Sequence, residues 1–469
     1  MKISLVFPQW THKLGNYSTV AHQASMFPPL NLAILASIAL KAGHEVQLID
    51  AEAEQLNSIQ LLEKVYKFKP DLIGMTATTS FFDIVTQQAM DFKRVLGSKI
   101  VIGGVHVTHF KESIFYKCFD YFIIGQCENT FASFLKDPAK TKGVIYRDKG
   151  HPVFTGYNDF PVDLDNIPFP AIHLLNTNIY TIGTLGGRKV YTSMMLSRGC
   201  PYHCVFCSSK IFGTHVRRRS VLNAIEELRI IVDVLKIKHI YFVDDTFTLN
   251  REYILHFCDE IQKNSLKFTF ETSTRANLVD EKLIQTMKKA GLIRLSFGLE
   301  SADLRVRELI RKEIPLEAYI EANRLTNKYG IETINSVMLG LPGDTKESIY
   351  RTIDWVRYNK HIKHATFAIA IPYPGSVMWE WANQGKHGLK LLTKDFSKYQ
   401  RYGSAVMEVN GMSPSEILNL QKYGLMRIYS VWWRIIPVIK RFGIRNLIVP
   451  FLTSLWSIIK KGGKNEKNI

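Results

Sequence analysis

The stretch Ser197-Arg198-Gly199-Cys200-Pro201-Tyr202-His203-Cys204-Val205-Phe206-Cys207 holds three of the chain's six cysteines. Three residues separate the first pair and two the second. That spacing fits three thiolates around one corner of an iron–sulfur cube, with one iron left open for chemistry. The run follows residues 194–197, an apolar stretch that reads as a strand. A zinc site is the competing reading, but such sites use four ligands and often two Cys-x-x-Cys pairs, and here there is one triplet. His203 adjoins Cys204, so the two do not easily reach one ion. Three buried cysteines matching the spacing by chance is the third reading.

Beyond this run, apolar stretches at residues 239–243, 269–272, 295–298, 333–338 and 366–370 alternate with helical patterns. Six such units suggest an open, partial (β/α)6 barrel, whose chemistry sits at the carboxyl ends of its strands. The cysteine loop follows the first strand and so lies at that mouth. Tyr241-Phe242-Val243-Asp244-Asp245-Thr246-Phe247 ends the second strand, where the aspartates either meet a ligand or cap the next helix. Glu271-Thr272-Ser273-Thr274-Arg275 ends the third and offers a guanidinium fork for a carboxylate. Gly298-Leu299-Glu300-Ser301 ends the fourth. Arg217-Arg218-Arg219 reads first as a solvated face and second as an anion site.

The first 136 residues also alternate. Strands are expected at 2–7, 45–49, 71–76, 99–102 and 121–124, and helices at 30–42, 59–68, 81–96, 108–116 and 128–135. Pro28-Pro29 opens the first helix and Gly43 ends it. The alternation predicts an α/β fold, a doubly wound, Rossmann-like parallel sheet that binds ligands outside the carboxyl ends of its strands. Those ends read Asp50-Ala51-Glu52, Thr76-Ala77-Thr78-Thr79, Gly103-Gly104-Val105-His106-Val107-Thr108 and Gly125-Gln126-Cys127-Glu128. Four polar, glycine-rich loops on one edge predict a binding site, where paired glycines let the backbone approach a bulky ligand. Residues 137–185 show little periodicity, and the three prolines within 159–170 mark an extended connector.

Both halves resemble one known family. The pattern Cys-x-x-x-Cys-x-aromatic-Cys, with Phe206 as the aromatic, is similar to the signature of radical S-adenosylmethionine (SAM) enzymes. The runs Pro28-Pro29-Leu30-Asn31-Leu32-Ala33, Val101-Ile102-Gly103-Gly104-Val105-His106-Val107-Thr108 and Ile124-Gly125-Gln126-Cys127-Glu128 resemble the cobalamin (B12)-binding domain that precedes many of them. The resemblance implies that Cys200, Cys204 and Cys207 hold a [4Fe–4S] cluster whose open iron is chelated by SAM. It implies SAM contacts from Phe206, Asp244, Arg275, Glu300 and Ser301. It also implies that the nucleotide tail of cobalamin runs near Thr76, Thr78, Gly103 and Gly104, with His106, Gly125 and Glu128 in the same loops. The activity implied is that of a class B radical SAM methyltransferase acting on an unactivated carbon. A non-methylating oxidative cyclase is the alternative, and either draws electrons from a donor such as flavodoxin or ferredoxin. A zinc-stabilised binding protein is the reading from a different class. Cobalamin proteins that supply a histidine to cobalt use Asp-x-His-x-x-Gly. Here Trp10-Thr11-His12-Lys13-Leu14-Gly15 keeps the histidine and glycine without the aspartate, which weakens His12 as a cobalt ligand.

The expected domains are cobalamin binding at 1–140, a linker at 141–185, the radical SAM core at 186–410 and a helical, basic and aromatic region at 411–469. A chain of 469 residues with 46% apolar content suits two or three cores. The opening apolar run is too short for a secretion signal. A cytoplasmic chain without a disulfide framework is therefore expected, with Cys118, Cys127 and Cys258 as small buried residues. The formal charge is +18. From Arg427 onward nine Lys/Arg accompany one acidic residue, Glu466, among Trp432, Trp433 and Trp456. Pro437 and Pro450 interrupt this tail, and no stretch reaches the roughly 18 apolar residues of a membrane span. Two readings stay open. One is an interfacial helix in peripheral membrane contact, where each basic residue adds on the order of 1 kcal/mol. The other is a helix packed on the barrel. Charge mixed with bulky aliphatics argues against nucleic acid. The expected substrate is a small molecule, lipophilic if the tail meets a membrane.

Overall fold

The computed structural model describes residues 1–12, 26–160, 163–184 and 187–434. The chain begins with β1 (Lys2–Phe7), α1 (Leu30–Lys41), β2 (Glu45–Asp50), α2 (Ser58–Phe68), β3 (Leu72–Thr76), α3 (Phe82–Leu96), β4 (Lys99–Gly103), α4 (Val105–Phe110), β5 (Tyr121–Ile123) and α5 (Phe131–Lys136). The five strands are parallel in the order β2-β1-β3-β4-β5. β3 is buried along its whole length, which requires helices on both faces of the sheet. Strand order reverses between β1 and β3, the position where such sheets take ligands. α4 starts directly after Gly104, earlier than the helix expected at 108–116, and Lys111 at φ 49 ends it.

β6 (Val144–Asp148) and β7 (His151–Phe154) extend the sheet antiparallel. This hairpin occupies part of the stretch read as a linker. Its turn is Lys149-Gly150, at φ 47 and 88. The proline-rich connector then lies along α1: Ala171 N–H donates to the Ala33 carbonyl at 2.9 Å and Ser37 Oγ to the Phe169 carbonyl at 2.5 Å.

After a hairpin of β8 (Thr181–Thr184) and β9 (Gly187–Val190) come β10 (Thr192–Met194), β11 (Ser197–Arg198), β12 (Arg217–Arg218), α6 (Val221–Arg229), β13 (His239–Phe242), α7 (Arg251–Lys263), β14 (Thr269–Thr274), α8 (Glu281–Lys289), β15 (Leu292–Glu300), α9 (Leu304–Leu309), α10 (Leu316–Lys328), β16 (Glu332–Leu339), α11 (Lys346–Tyr358) and β17 (His364–Ile369). β10 and β13 to β17 form an open six-stranded parallel sheet in chain order, the partial barrel expected. One apolar core runs from Leu5 and Ala33 through the connector residues Ala171 and Ile172 to Phe242 and Phe270. The two carboxyl edges are thus held against each other.

Among the described residues no helix is long and apolar enough to cross a membrane. The tail beyond residue 434, and Lys13-Leu14-Gly15 beside His12, lie outside the described residues. Arg434 is buried and donates to the Ile362 and Ile428 carbonyls at 2.9 and 2.8 Å, so this tail arginine belongs to the barrel body.

Candidate active site

The cysteine loop is pinned at its base. β11 and β12 pair Ser197 with Arg218 and Arg198 with Arg217. Gly199 has φ 96, and a Cβ there would meet the His215 carbonyl oxygen at 2.6 Å, so glycine is required. Val205 is fully buried; it donates to the Ile310 carbonyl at 3.1 Å and accepts from Met378 N–H at 3.0 Å. The three cysteines are half-buried with free thiols. Thr246 Oγ1 lies 3.8 Å from the Cys200 sulfur and Arg275 Nη1 3.9 Å from that of Cys204. Ser209 N and Oγ lie 3.4 and 3.2 Å from the Cys207 sulfur. The Arg311 carbonyl is 4.0 Å from Cys204. Donors at sulfur favour thiolate. Burial raises the Cys200 thiol pKa, but coordination deprotonates a thiol outright. Three half-buried thiols on one loop, each with a polar group near its sulfur, fit the thiolate ligands of an iron–sulfur cluster.

The mouth beside the loop is charged. Arg275 stacks on Tyr202, 3.5 Å from the ring centroid, and its Nε is buried without a partner. Glu300, at φ 64, accepts from Lys312 Nζ at 3.2 Å. Burial opposes the Lys312 charge, yet Glu300 beside it holds the pKa above its ordinary value. Phe206 lies 6.0 Å from the same Nζ. Phe206, Arg275 and Glu300 therefore gather at the cysteine loop. Lys312 escaped sequence reading, because the fold alone returns it to Glu300.

Asp244 and Ser301 are turned toward the backbone. Asp244 accepts from Leu196 N–H at 3.1 Å and Ser197 Oγ at 2.6 Å, bracing the entry to the cysteine loop. Burial pushes its carboxyl up to about 6. The N-cap of α7 is Asn250, so neither aspartate fills that role. Ser301 is buried, accepts from Asp303 N–H at 3.1 Å and lies 3.2 Å from Thr352 Oγ1.

A cavity of about 420 Å3 separates the first sheet from this loop. Thr76, Thr78, Gly103, Gly104, Gly125 and Glu128 line one wall; Met195, Ser197, Arg198, Gly199, Val243 and Asp245 line the other. A Cβ on Gly104, at φ 110, would meet the Ala77 carbonyl oxygen at 2.5 Å, whereas one on Gly103 would find its nearest neighbour at 3.9 Å. One glycine permits close chain contact and the other keeps the wall bare. A bare slot at the switch point with two threonine hydroxyls fits the nucleotide arm of cobalamin. His106 lies elsewhere. α4 turns it among Phe82, Phe110 and Phe396, at 4.4, 4.7 and 5.1 Å, and burial pushes its pKa down to about 4.

Gln126 joins the walls. Its Oε1 accepts from Arg198 Nη1 at 3.1 Å and Arg217 Nη1 at 3.2 Å, and Arg198 pairs with Glu128 at 2.5 Å. The arginine run is thus no solvated face: Arg217 is buried at Gln126, and Arg219 is buried against Glu227 and Asn223. Desolvation makes burying such charges costly unless each finds a partner, as both do here.

Residues 194–356 match the radical SAM superfamily, and residues 19–135 match the B12 binding domain. An uncharacterized methyltransferase of Pyrococcus horikoshii is 33% identical over 412 residues, spanning 86% of this chain and 88% of its own. The chain belongs to the B12-binding radical SAM enzymes. An anaerobic magnesium-protoporphyrin IX monomethyl ester cyclase of Rubrivivax gelatinosus is 26% identical to this radical SAM enzyme, over 89% of this chain and 76% of its own. The fold is similar to that of TsrM, a radical S-adenosylmethionine methyltransferase from Kitasatospora setae, with a TM-score of 0.70 at 16% identity over 92% of this chain and 88% of that one. Membership gives the enzyme its cofactors: a [4Fe–4S] cluster, SAM and cobalamin.

Proposed function

We propose that this radical SAM enzyme transfers a methyl group from SAM to an unactivated carbon of a small-molecule substrate. The carrying observation is the shared cavity, with Thr76 and Gly104 on one wall and Gly199 and Asp245 on the other. When bound, the cofactors supply one-electron cleavage of SAM and a transferable methyl group. Cys200, Cys204 and Cys207 hold the cluster. Arg275 offers its unpartnered Nε edge to the SAM carboxylate. Glu300, fixed by Lys312, faces the cationic amino group. Met195 and Val243 give the cavity wall beside the cysteine loop an apolar lining. A flavodoxin or ferredoxin supplies the electron. The name of the Pyrococcus relative supports methyl transfer.

Anaerobically reconstituted enzyme, given methyl-labelled SAM, a reductant and a small-molecule extract, should release S-adenosylhomocysteine and 5′-deoxyadenosine together and label a product. Release of 5′-deoxyadenosine with an unlabelled product would instead favour the second reading, radical ring closure, which the likeness to the cyclase supports. We propose a lipophilic substrate on the single ground of the basic, aromatic tail, in the reading where that tail meets a membrane. Deleting residues 435–469, which spares Arg434, should weaken liposome binding, and undiminished binding would refute membrane docking.

A further inference from the structure

Arg275 is 8% exposed, yet among the described residues no carboxylate pairs with it. Its neighbour Lys312 is neutralised by Glu300, and Arg217 shares Gln126 with an arginine that holds Glu128. A buried guanidinium without an anion is expensive, so its counter-charge must come from what the site binds. The stack on Tyr202 fixes where the charge sits, because Tyr202 lies within the cysteine loop, between Cys200 and Cys204. Nη1 already points at the Cys204 sulfur from 3.9 Å, while the unpartnered Nε leaves a second edge of the fork open.

We propose that Arg275 is the buried counter-charge of the three thiolates and sets the reduction potential of the cluster they hold. The inference rests on the assignment of those cysteines to a [4Fe–4S] cluster. Reduction adds one negative charge to an already anionic thiolate cluster. A fixed cation in a poorly screened pocket favours the more negative state and raises the potential. That eases electron delivery by a flavodoxin-class donor and lowers the drive for the later transfer to SAM. Arg275 is thus a positioning residue for charge, independent of what its Nε edge binds.

The test is an anaerobic redox titration of the full-length, cluster-loaded enzyme without SAM, followed by electron paramagnetic resonance. Iron and sulfide assays confirm cluster content in each variant. Arg275→Met should shift the midpoint to more negative potential. Arg275→Lys, which keeps the charge, should recover most of the shift. Tyr202→Leu, which removes only the stack, should give a smaller negative shift and serves where Arg275→Met fails to retain its cluster. Midpoints equal to wild type in cluster-loaded Arg275→Met, or in Tyr202→Leu, overturn the proposal. SAM binding is measured separately. A variant that loses SAM affinity at unchanged midpoint leaves the carboxylate contact standing and sinks the redox role. A shifted midpoint upholds the redox role even where no labelled product forms.

Discussion

At the edge of the first sheet the ligand wall is largely backbone. Gly103 and Gly104 remove side chains, Thr76 and Thr78 add short hydroxyls, and Gly104 brings its loop against Ala77. At the barrel mouth the wall is charge: Arg275 over Tyr202, Lys312 on Glu300, Asp244 under the cysteine loop. The first edge accepts a large ligand by shape, so it needs absent atoms. The second manages electrons and ions, so it needs buried charges held in place. Gln126 joins the two. Substitutions at either edge should therefore separate the two functions, and one at the join should not.

The largest separation is expected from Cys204→Ala. Cluster absorbance and all SAM cleavage should vanish while corrin binding persists, because Cys204 does not line the cavity. Iron analysis and corrin absorbance on the same sample check this, and loss of both would mean that the edges form one site. The converse is Gly104→Val. A β-branched residue at φ 110, with its Cβ 2.5 Å from the Ala77 oxygen, costs about 1–3 kcal/mol in backbone strain and also intrudes on the wall. Corrin affinity should fall by roughly 10–100-fold with iron content unchanged. Gln126→Ala should cost about 1–3 kcal/mol in urea unfolding, since the buried Arg217 and the half-buried Arg198 lose one shared acceptor. It should weaken both corrin affinity and cluster retention; an effect on one alone would show that the edges are joined elsewhere.

The same contrast explains what could be read in advance. Shape-based features are local in sequence. Gly103-Gly104 and the cysteine spacing declare themselves within a dozen residues, and the strand–helix alternation within a few dozen. The two glycines line the cavity, and the alternation gives the strand order with some ends displaced, α4 by three residues and the first barrel strand by two. Charge-based features are tertiary. Lys312 meets Glu300 across a helix and a turn, and Arg217 is buried because Gln126, from the other domain, accepts its N–H. His106 shares a loop with cavity glycines, but α4 begins at Val105 and rotates the ring into aromatic neighbours. The β6–β7 hairpin was hidden for another reason. Its strands are short and partly exposed, and the signal was the Lys149-Gly150 turn between two β-rich runs.

The smallest effects test whether the edges also differ in how they hold acids. Asp50 ends β2 and accepts from Tyr180 OH at 2.8 Å; burial pushes its carboxyl up to about 6. Asp344, after β16, accepts from Gly340 and Leu341 N–H at 3.0 Å each, and burial pushes it up to about 7. Unfolded, both titrate near 4. From about pH 4 to each raised value, the folded chain keeps a proton that the unfolded chain has lost. The contribution of each acid to folding stability must then fall as pH rises, by about 1.4 kcal/mol per pH unit. Both contribute up to pH 6, and between pH 6 and 7 Asp344 alone of the two does. Urea midpoints of cofactor-free protein should therefore show Asp344→Asn flattening the interval from pH 6 to 7, and Asp50→Asn flattening the curve below pH 6 while leaving that interval intact. If Asp344→Asn keeps the wild-type slope above pH 6, the barrel edge holds its acid ionised. Buried charge at that edge would then extend from its bases to its acids.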